Sequence, residues 1–462
     1  MKSIEDFLTD ASDFIWGPWL LIPLLLATGV YLTAVLRGVQ IRRFRLAFWL
    51  AFVKRSDEGA DGDISHYQAL ATALAATVGV GNIVGVATAI SLGGPGAVFW
   101  MWCTGLIGMA TKYSEAFLGV RFRRTDAAGE QSGGPMHYLR NGIKGPLGVF
   151  LGGFFAIAGA FAAFGIGNMT QANAVASNVN DEWGLPTWAT GLIITALTAA
   201  VILGGIKSIG RVTSAFVPLM IVLYVTGGLL VLLLNADEVP GALGTIVSDA
   251  FTGTAATGGF AGAAVATAIR YGVARGIFSN ESGLGTGGIA AAAAKTTHPV
   301  RQALVSMTQT FIDTLIVVTI TGLTIVVTGT WKADSDEAAA FTARAFAEGL
   351  PGTWGSVIVT ISVVFFAFST LLGWSYYGER CMEYLFGRKA VLPYRVVFIV
   401  VSYIGATTTL TAVWTFSDVM NGLMALPNLI GLLLLSPLVW RETRDYFQRG
   451  PQDELKPQTT TN

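Results

Sequence analysis

Ala75-Ala76-Thr77-Val78-Gly79-Val80-Gly81-Asn82-Ile83 sits in the middle of a run, residues 66 to 92, that is otherwise apolar enough to cross a bilayer. Two glycines and an amide interrupt the coil at the depth where a spanning helix normally satisfies its own backbone. Lipid offers no hydrogen-bond partner, so unwound backbone there is tolerated only against protein or a water-filled cavity. A second interruption of the same kind, Gly276-Ile277-Phe278-Ser279-Asn280-Glu281-Ser282-Gly283-Leu284-Gly285, falls within the run 258 to 294. A lone Gly-x-Gly-Asn in a membrane helix is ordinarily a point of close packing. Two breaks five helices apart point instead to a binding site.

Outward from these breaks the rest of the chain also reads as membrane. Its 462 residues are 53% hydrophobic and only 13% charged, with 56 glycines, too apolar for a soluble protein of this length. About 20 apolar residues span a bilayer as a helix, and eleven such runs are predicted. They lie near 19–37, 66–92, 95–121, 147–177, 187–205, 211–234, 258–294, 301–329, 354–380, 393–414 and 416–440. The runs divide the chain into an N-terminal helix with an interfacial cytoplasmic segment (1–65), two five-helix units (66–250 and 251–440) and a cytoplasmic tail (441–462). Five is odd, so the second unit enters the membrane in the opposite sense to the first. The expected fold class is therefore an all-α integral membrane protein with 11 transmembrane helices, a 5+5 inverted repeat preceded by one extra N-terminal helix.

Loop charge tests that assignment independently, because Lys and Arg are retained on the cytoplasmic side. One set of alternate loops and the tail hold 23 basic residues, among them Arg37, Arg42, Arg43, Arg123, Lys207, Arg301, Arg388 and Arg444; the opposite set holds Lys2, Lys332 and Arg344. The N-terminus is expected outside and the C-terminus in the cytoplasm of a bacterial or archaeal plasma membrane. Glu5, Asp6, Asp10 and Asp13 replace the basic n-region of a signal peptide, so no cleavage is expected. Gln40 to Arg55 alternates Arg with Phe, Leu and Trp49, the pattern of an interfacial amphipathic helix, with a charged loop as the alternative. The polar tail from Gln452 is expected to be disordered. The balance of 29 basic and 29 acidic residues gives no support to nucleic-acid binding. Cys103 and Cys381 read as small apolar packers rather than a disulfide framework.

The breaks suggest a chemistry. A half-helix starting after Gly81 offers N–H groups and a positive dipole end to a carboxylate, and carbonyls freed near Ala75 and Val78 can hold a cation. Sodium takes oxygen ligands, which Asn82, Ser369 and Thr370 also supply. Among ionisable groups at membrane depth, Lys112 and Glu115 are three apart and read as a local ion pair near the inner edge. Asp313 is the candidate for carrying a proton or attracting a cation. Arg270, Arg275 and Glu281 suggest a network beside the second break, and His66, His137 and His298 read as solvated caps at helix ends. No Gly-x-x-x-x-Gly-Lys-Ser/Thr run occurs, which excludes ATP-driven transport, and no His-Glu-x-x-His motif for a zinc protease. A channel is the alternative of another class, since glycine-rich breaks also build selectivity filters. Filters usually come from several chains or from re-entrant loops, whereas both breaks here lie within full spans.

At the breaks and well beyond them the sequence resembles the alanine or glycine:cation symporter family. The resemblance rests on Gly79-Val80-Gly81-Asn82-Ile83-Val84-Gly85, Gly93-Gly94-Pro95-Gly96, Ala110-Thr111-Lys112-Tyr113-Ser114-Glu115, Gly133-Gly134-Pro135-Met136-His137-Tyr138, Gly167-Asn168-Met169-Thr170-Gln171, Phe278-Ser279-Asn280-Glu281 and Gly373-Trp374-Ser375-Tyr376-Tyr377-Gly378-Glu379. It covers most of the chain from about 66 to 440. It implies sodium-coupled uptake of alanine or glycine on a LeuT-type fold, with sodium as coupling ion; separately, no other cofactor and function as a monomer are expected. The substrate pocket it implies comprises Gly79, Val80, Gly81, Asn82, Gly165, Gly167, Gln171, Phe278 and Trp374, and the sodium site Ala75, Val78, Ser369 and Thr370. In that pocket Phe278 and Trp374 would limit a substrate side chain to hydrogen or methyl, and Gln171 would either meet the substrate amine or bridge two helices. Where many members carry Thr this chain has Val80, which removes one hydroxyl. Proton coupling through Asp313 or Glu281 is the alternative within the carrier class.

Overall fold

The structure, a computed structural model, describes residues 2–17, 19–57, 59–252, 261–332, 340–408 and 411–449; the expected disordered tail from Gln452 lies outside them. The described chain is helical apart from its connectors and one short hairpin, Arg124–Thr125 paired antiparallel with Gln131–Ser132. Helix occupies each predicted apolar run. By length and apolarity, six single helices among the described residues can cross a membrane: Pro146–Trp183, Gly205–Leu234, Pro299–Thr328, Trp354–Phe386, Arg388–Thr407 and Val413–Gln448. The bent pair His66–Thr77 and Val80–Gly93 makes a seventh, while Leu21–Val35 and Thr187–Ile202 are apolar but shorter. Gly96–Arg121 is long but carries Lys112, Glu115 and Arg121.

Several elements depart from the sequence reading. A helix, Lys2–Ile15, precedes the first apolar run and docks through the Trp16 indole, which donates to the Asp418 carbonyl at 2.9 Å. The last helix, Thr411–Arg449, passes the expected boundary at 440. Its final turns stay ordered against the bundle because Tyr113 meets Thr443 at 2.9 Å and Arg121 meets Glu442 at 3.1 Å. Residues 39–54 coil as Val39–Arg42, Phe44–Trp49 and a π turn Leu50–Lys54, with Ile41, Phe48, Trp49 and Val53 exposed. An interfacial helix would need such an exposed apolar side.

Two spans contain π-helical segments, Gly165–Met169 and Phe311–Val318. A π segment shifts the following side chains around the helix axis and leaves carbonyls without their usual partner, which is why such segments recur at functional sites. Both face the region between the two breaks.

Candidate functional site

The first broken helix starts from a capping box: Gln68 N–H donates to Ser65 Oγ at 3.1 Å, and Ser65 N–H to Gln68 Oε1 at 3.0 Å. The coil runs to Thr77, and Val78 N–H still reaches the Leu74 carbonyl at 2.8 Å. The next amide leaves the ladder. Gly79 N–H donates to Asn82 Oδ1 at 2.9 Å instead of to Ala75. The Ala75 carbonyl thus lacks its helical donor and accepts from two hydroxyls of the Trp354–Phe386 helix, Ser369 and Thr370, each at 3.2 Å. Glycine is required at this crossing. A Cβ on Gly79 would fall 2.5 Å from Thr370 Oγ1, and one on Gly373 would fall 2.6–2.8 Å from atoms of Ala76. After one 3₁₀ turn, Val80–Asn82, the chain resumes at Val84–Gly93, bent by 62° from its first half. The N–H groups of Val80 and Gly81 meet no acceptor among the described residues.

The second break follows Asn280. Glu281, Gly283 and Gly285 all take left-handed backbone, at φ of 55°, 106° and 89°, before helix resumes at Thr286. The strained Glu281 conformation is held from outside. Lys112 Nζ donates to the Glu281 carbonyl at 3.0 Å, and Gln309 Nε2 to that of Asn280 at 3.1 Å. Glu115 Oε1 accepts from Gly283 N–H and Gly285 N–H, both at 2.9 Å, and from Asn428 Nδ2 at 2.8 Å. Lys112 and Glu115 do approach each other, at 3.7 Å, yet both are fully buried. They staple the second break rather than form a pair at the membrane edge.

Asp313 joins the two breaks. One carboxylate oxygen accepts from Asn82 Nδ2 at 2.8 Å; the other accepts from Ser279 Oγ at 2.8 Å and Thr314 Oγ1 at 2.9 Å. The residue is fully buried in the π segment Phe311–Val318, and no basic side chain pairs with it among the described residues. Three hydrogen bonds take the place of a counter-charge in holding this anion out of water.

Between the breaks lies a small cavity faced by Gly79 and Gly81 from the first, Phe278 and Glu281 from the second, and Gln171, Thr370 and Trp374 from neighbouring helices. Its free interior is about 10 Å³, the room for one water. Gln171 Nε2 donates to the Ile166 carbonyl at 3.0 Å, whereas its Oε1 is buried with no partner among the described residues. Glu281 accepts from Thr286 Oγ1 at 2.5 Å. The cavity wall therefore carries an unpaired acceptor and a carboxylate.

The remaining predicted residues stand behind that wall. Asn82 holds the Gly79 amide and Asp313. Gly167 makes room for Trp374, whose Cβ would lie 2.2 Å from an added Cβ, and Gly165 does the same for Ser417. Val80 and Val78 are buried, and Ser369 shares the Ala75 carbonyl with Thr370. Ala76, Thr77, Ile166 and Glu281 also face the cavity and were left out of the pocket reading; for Glu281, the charged one, adjacency to Phe278-Ser279-Asn280 was the available signal.

Arg270, Arg275 and Glu281 do not form one network. Arg270 pairs with Asp13 at 2.6 Å, and the Arg275 guanidinium stacks 5.5 Å from the Phe278 ring centre. His66 is buried rather than a solvated cap, with Nε2 3.3 Å from Asp57 Oδ2 and Nδ1 2.5 Å from Gln302 Oε1. Asp57 also accepts from Thr297 N–H at 3.1 Å and Arg301 Nη2 at 2.8 Å. Burial works to raise the pKa of this loop carboxyl, but the His66 ring, the Thr297 amide and the Arg301 charge together hold it well below the usual range.

A helical bundle in which two interrupted helices share a small polar cavity is the arrangement of a membrane transporter. Comparison with known proteins agrees. The chain belongs to the sodium:alanine symporter family, which it matches over residues 1–461. It is 54% identical over 439 residues to the sodium/alanine symporter AgcS of Methanococcus maripaludis, covering 94% of this chain and 95% of that one. It is 34% identical over 451 residues to the probable sodium/glutamine symporter GlnT of Bacillus subtilis, covering 96% and 91%. Its fold resembles a manganese transporter (H236A mutant) of Eremococcus coleocola, with a TM-score of 0.50, 13% identity, and coverage of 84% of this chain and 89% of that one.

Proposed function

We propose that the protein is a secondary active symporter that couples inward sodium movement to uptake of alanine and glycine by alternating access. In this reading the chain crosses the membrane eleven times, as a LeuT-type 5+5 inverted repeat behind one extra helix, and works as a monomer with its N-terminus outside. The observation that carries it is the Ala75 carbonyl, released from its helix and met by two hydroxyls, beside a cavity that both breaks share. Sodium would take the oxygens of Ala75, Val78, Ser369 and Thr370 as hard ligands. The substrate carboxylate would sit at the N–H groups of Val80 and Gly81, on the positive end of the half-helix. Its ammonium would face Gln171 Oε1 and the Glu281 carboxylate. Phe278 and Trp374 would close on the side chain and leave space for hydrogen or methyl.

The cavity has room for one water only. The reading also requires the cavity to widen as substrate enters, with one helical unit rocking against the other. Proton coupling is the second reading, favoured by two buried carboxylates, Glu281 at the cavity and Asp313 between the breaks. Tracer uptake in proteoliposomes separates the two. An inward sodium gradient at equal pH on both sides should concentrate alanine and glycine inside; a pH gradient that concentrates them without sodium would overturn the ion assignment.

A further inference from the structure

Where the Leu21–Val35 helix ends, the chain turns back through two left-handed residues, Arg37 at φ 54° and Gly38 at 65°, into the short Val39–Arg42 helix. This turn faces the last coils of Thr411–Arg449. The two helices meet one turn earlier through Tyr31 and Ser436, 3.0 Å apart. Beyond that contact they enclose a cavity of about 220 Å³, far roomier than the central one. Arg37, Arg42 and Arg43 line it from one side and Arg444 from the other, over apolar surface from Leu36, Val39, Trp440 and Phe447. Arg43 stacks on Phe447 at 4.1 Å and Arg444 on Trp440 at 4.7 Å. Arg444 has Asp445 at 3.0 Å, but the Arg37 and Arg42 guanidiniums have neither a hydrogen bond nor an ion pair among the described residues.

We propose that this cavity binds the headgroup of an anionic phospholipid. Four guanidiniums against one carboxylate leave an excess of positive charge, and the planar donors of arginine suit phosphate oxygens. The cavity also lies where two apolar helices give way to charge, the depth of lipid headgroups. Flanking side chains Val30, Ile41 and Leu434 are exposed, as surfaces turned toward acyl chains would be. A free phosphate would use the arginines and leave the apolar side idle; a phospholipid uses both, its phosphate on the guanidiniums and its glycerol and first methylenes along Leu36, Val39 and Trp440. Basic pockets between membrane helices on the arginine-rich side are the setting in which anionic lipids are held.

The test is native mass spectrometry of the full-length protein in detergent, titrated with phosphatidylglycerol or with phosphatidylcholine of the same chain length. Wild type should retain phosphatidylglycerol about tenfold better than phosphatidylcholine. The double variant Arg42→Gln/Arg43→Gln should lose that preference, and so should Arg444→Gln on the opposite wall, which keeps the test open if the double variant misfolds. Excess inorganic phosphate should not release the lipid. Equal retention of the two lipids by wild type, unchanged preference in folded variants, or displacement by phosphate alone would each overturn the proposal, the last by making the cavity a small-anion site.

Discussion

Thr370 has two partners that a hydrophobic residue could not serve. Its hydroxyl lies 3.2 Å from the Ala75 carbonyl and 2.9 Å from that of Phe366, so it ties the helix it belongs to onto the first break. Thr370→Val keeps the shape and removes the oxygen. Hydrogen bonds and contacts to charged groups contribute about 1.5–3 kcal/mol, so the sodium concentration for half-maximal alanine uptake should rise roughly 10- to 100-fold. Thr370→Ser should restore it, and a sodium dependence unchanged in the Val variant would remove Thr370 from the proposed ion site. Gly79, Gly81, Gln171, Phe278 and Trp374 were legible in the sequence because each stands in or near an interruption, or in a motif shared with a known family. Asp313 was legible only as a carboxylate out of place. Its partners, Asn82 and Ser279, are 231 and 34 residues away, and a separation along the chain carries no information about which polar groups meet across a bundle.

Helices meet at this site through absent side chains. Gly373 lets the Trp354–Phe386 helix lie against the backbone of Ala76 and brings Ser369 and Thr370 within reach of Ala75. A valine at 373 would have to displace one helix, and overpacking of this kind costs about 1–3 kcal/mol. Gly373→Val should therefore weaken sodium-dependent uptake by about tenfold or more while the purified protein stays helical and monodisperse. Full activity in that variant would show that the backbone contact is dispensable. Long apolar runs made the spanning helices readable, since the bilayer sets their length. The π segments Gly165–Met169 and Phe311–Val318 left no such trace, because their apolar pattern differs little from that of an α-helix over so few residues. The Lys2–Ile15 helix was missed for another reason. It is an amphipathic surface helix, with Glu5, Asp6, Asp10 and Asp13 outside any apolar run, and hydropathy looks past such segments.

One end of the molecule gathers most of the ion pairs among the described residues. Arg380 is fully buried and reaches Glu130 and Glu383, each at 2.7 Å; Arg388 reaches Glu130 at 2.6 Å, and Arg395 reaches Glu379 at 2.6 Å. Arg301 joins Asp57 and His66 in a second group. These arginines were counted as loop charges marking the cytoplasmic face. The asymmetry was readable from composition, but their burial as linked pairs depended on how the loops fold back. Asp57→Asn should unmask the second group. Removing one member of a buried pair costs on the order of 3 kcal/mol, so the variant's Tm should fall at neutral pH. The carboxyl is held below its ordinary pKa, so its stabilisation is present above about pH 4 and is lost as pH drops through the lower folded value. The gap in Tm between wild type and variant should thus stay constant from pH 7 to pH 5 and close only below about pH 4. A gap that already closes between pH 7 and pH 5 would overturn this assignment to the Asp57 carboxyl.

The carboxylate of Asp313 grips one interrupted coil with each of its oxygens. If either coil rewound or swung aside, that acid would lose a donor inside a dry interior, so a disturbance at one is felt at the other without any relay of side chains between them. A carrier that must never let ion and cargo leak separately has, in that single acidic group, a crossbar obliging both of its doorposts to shift together.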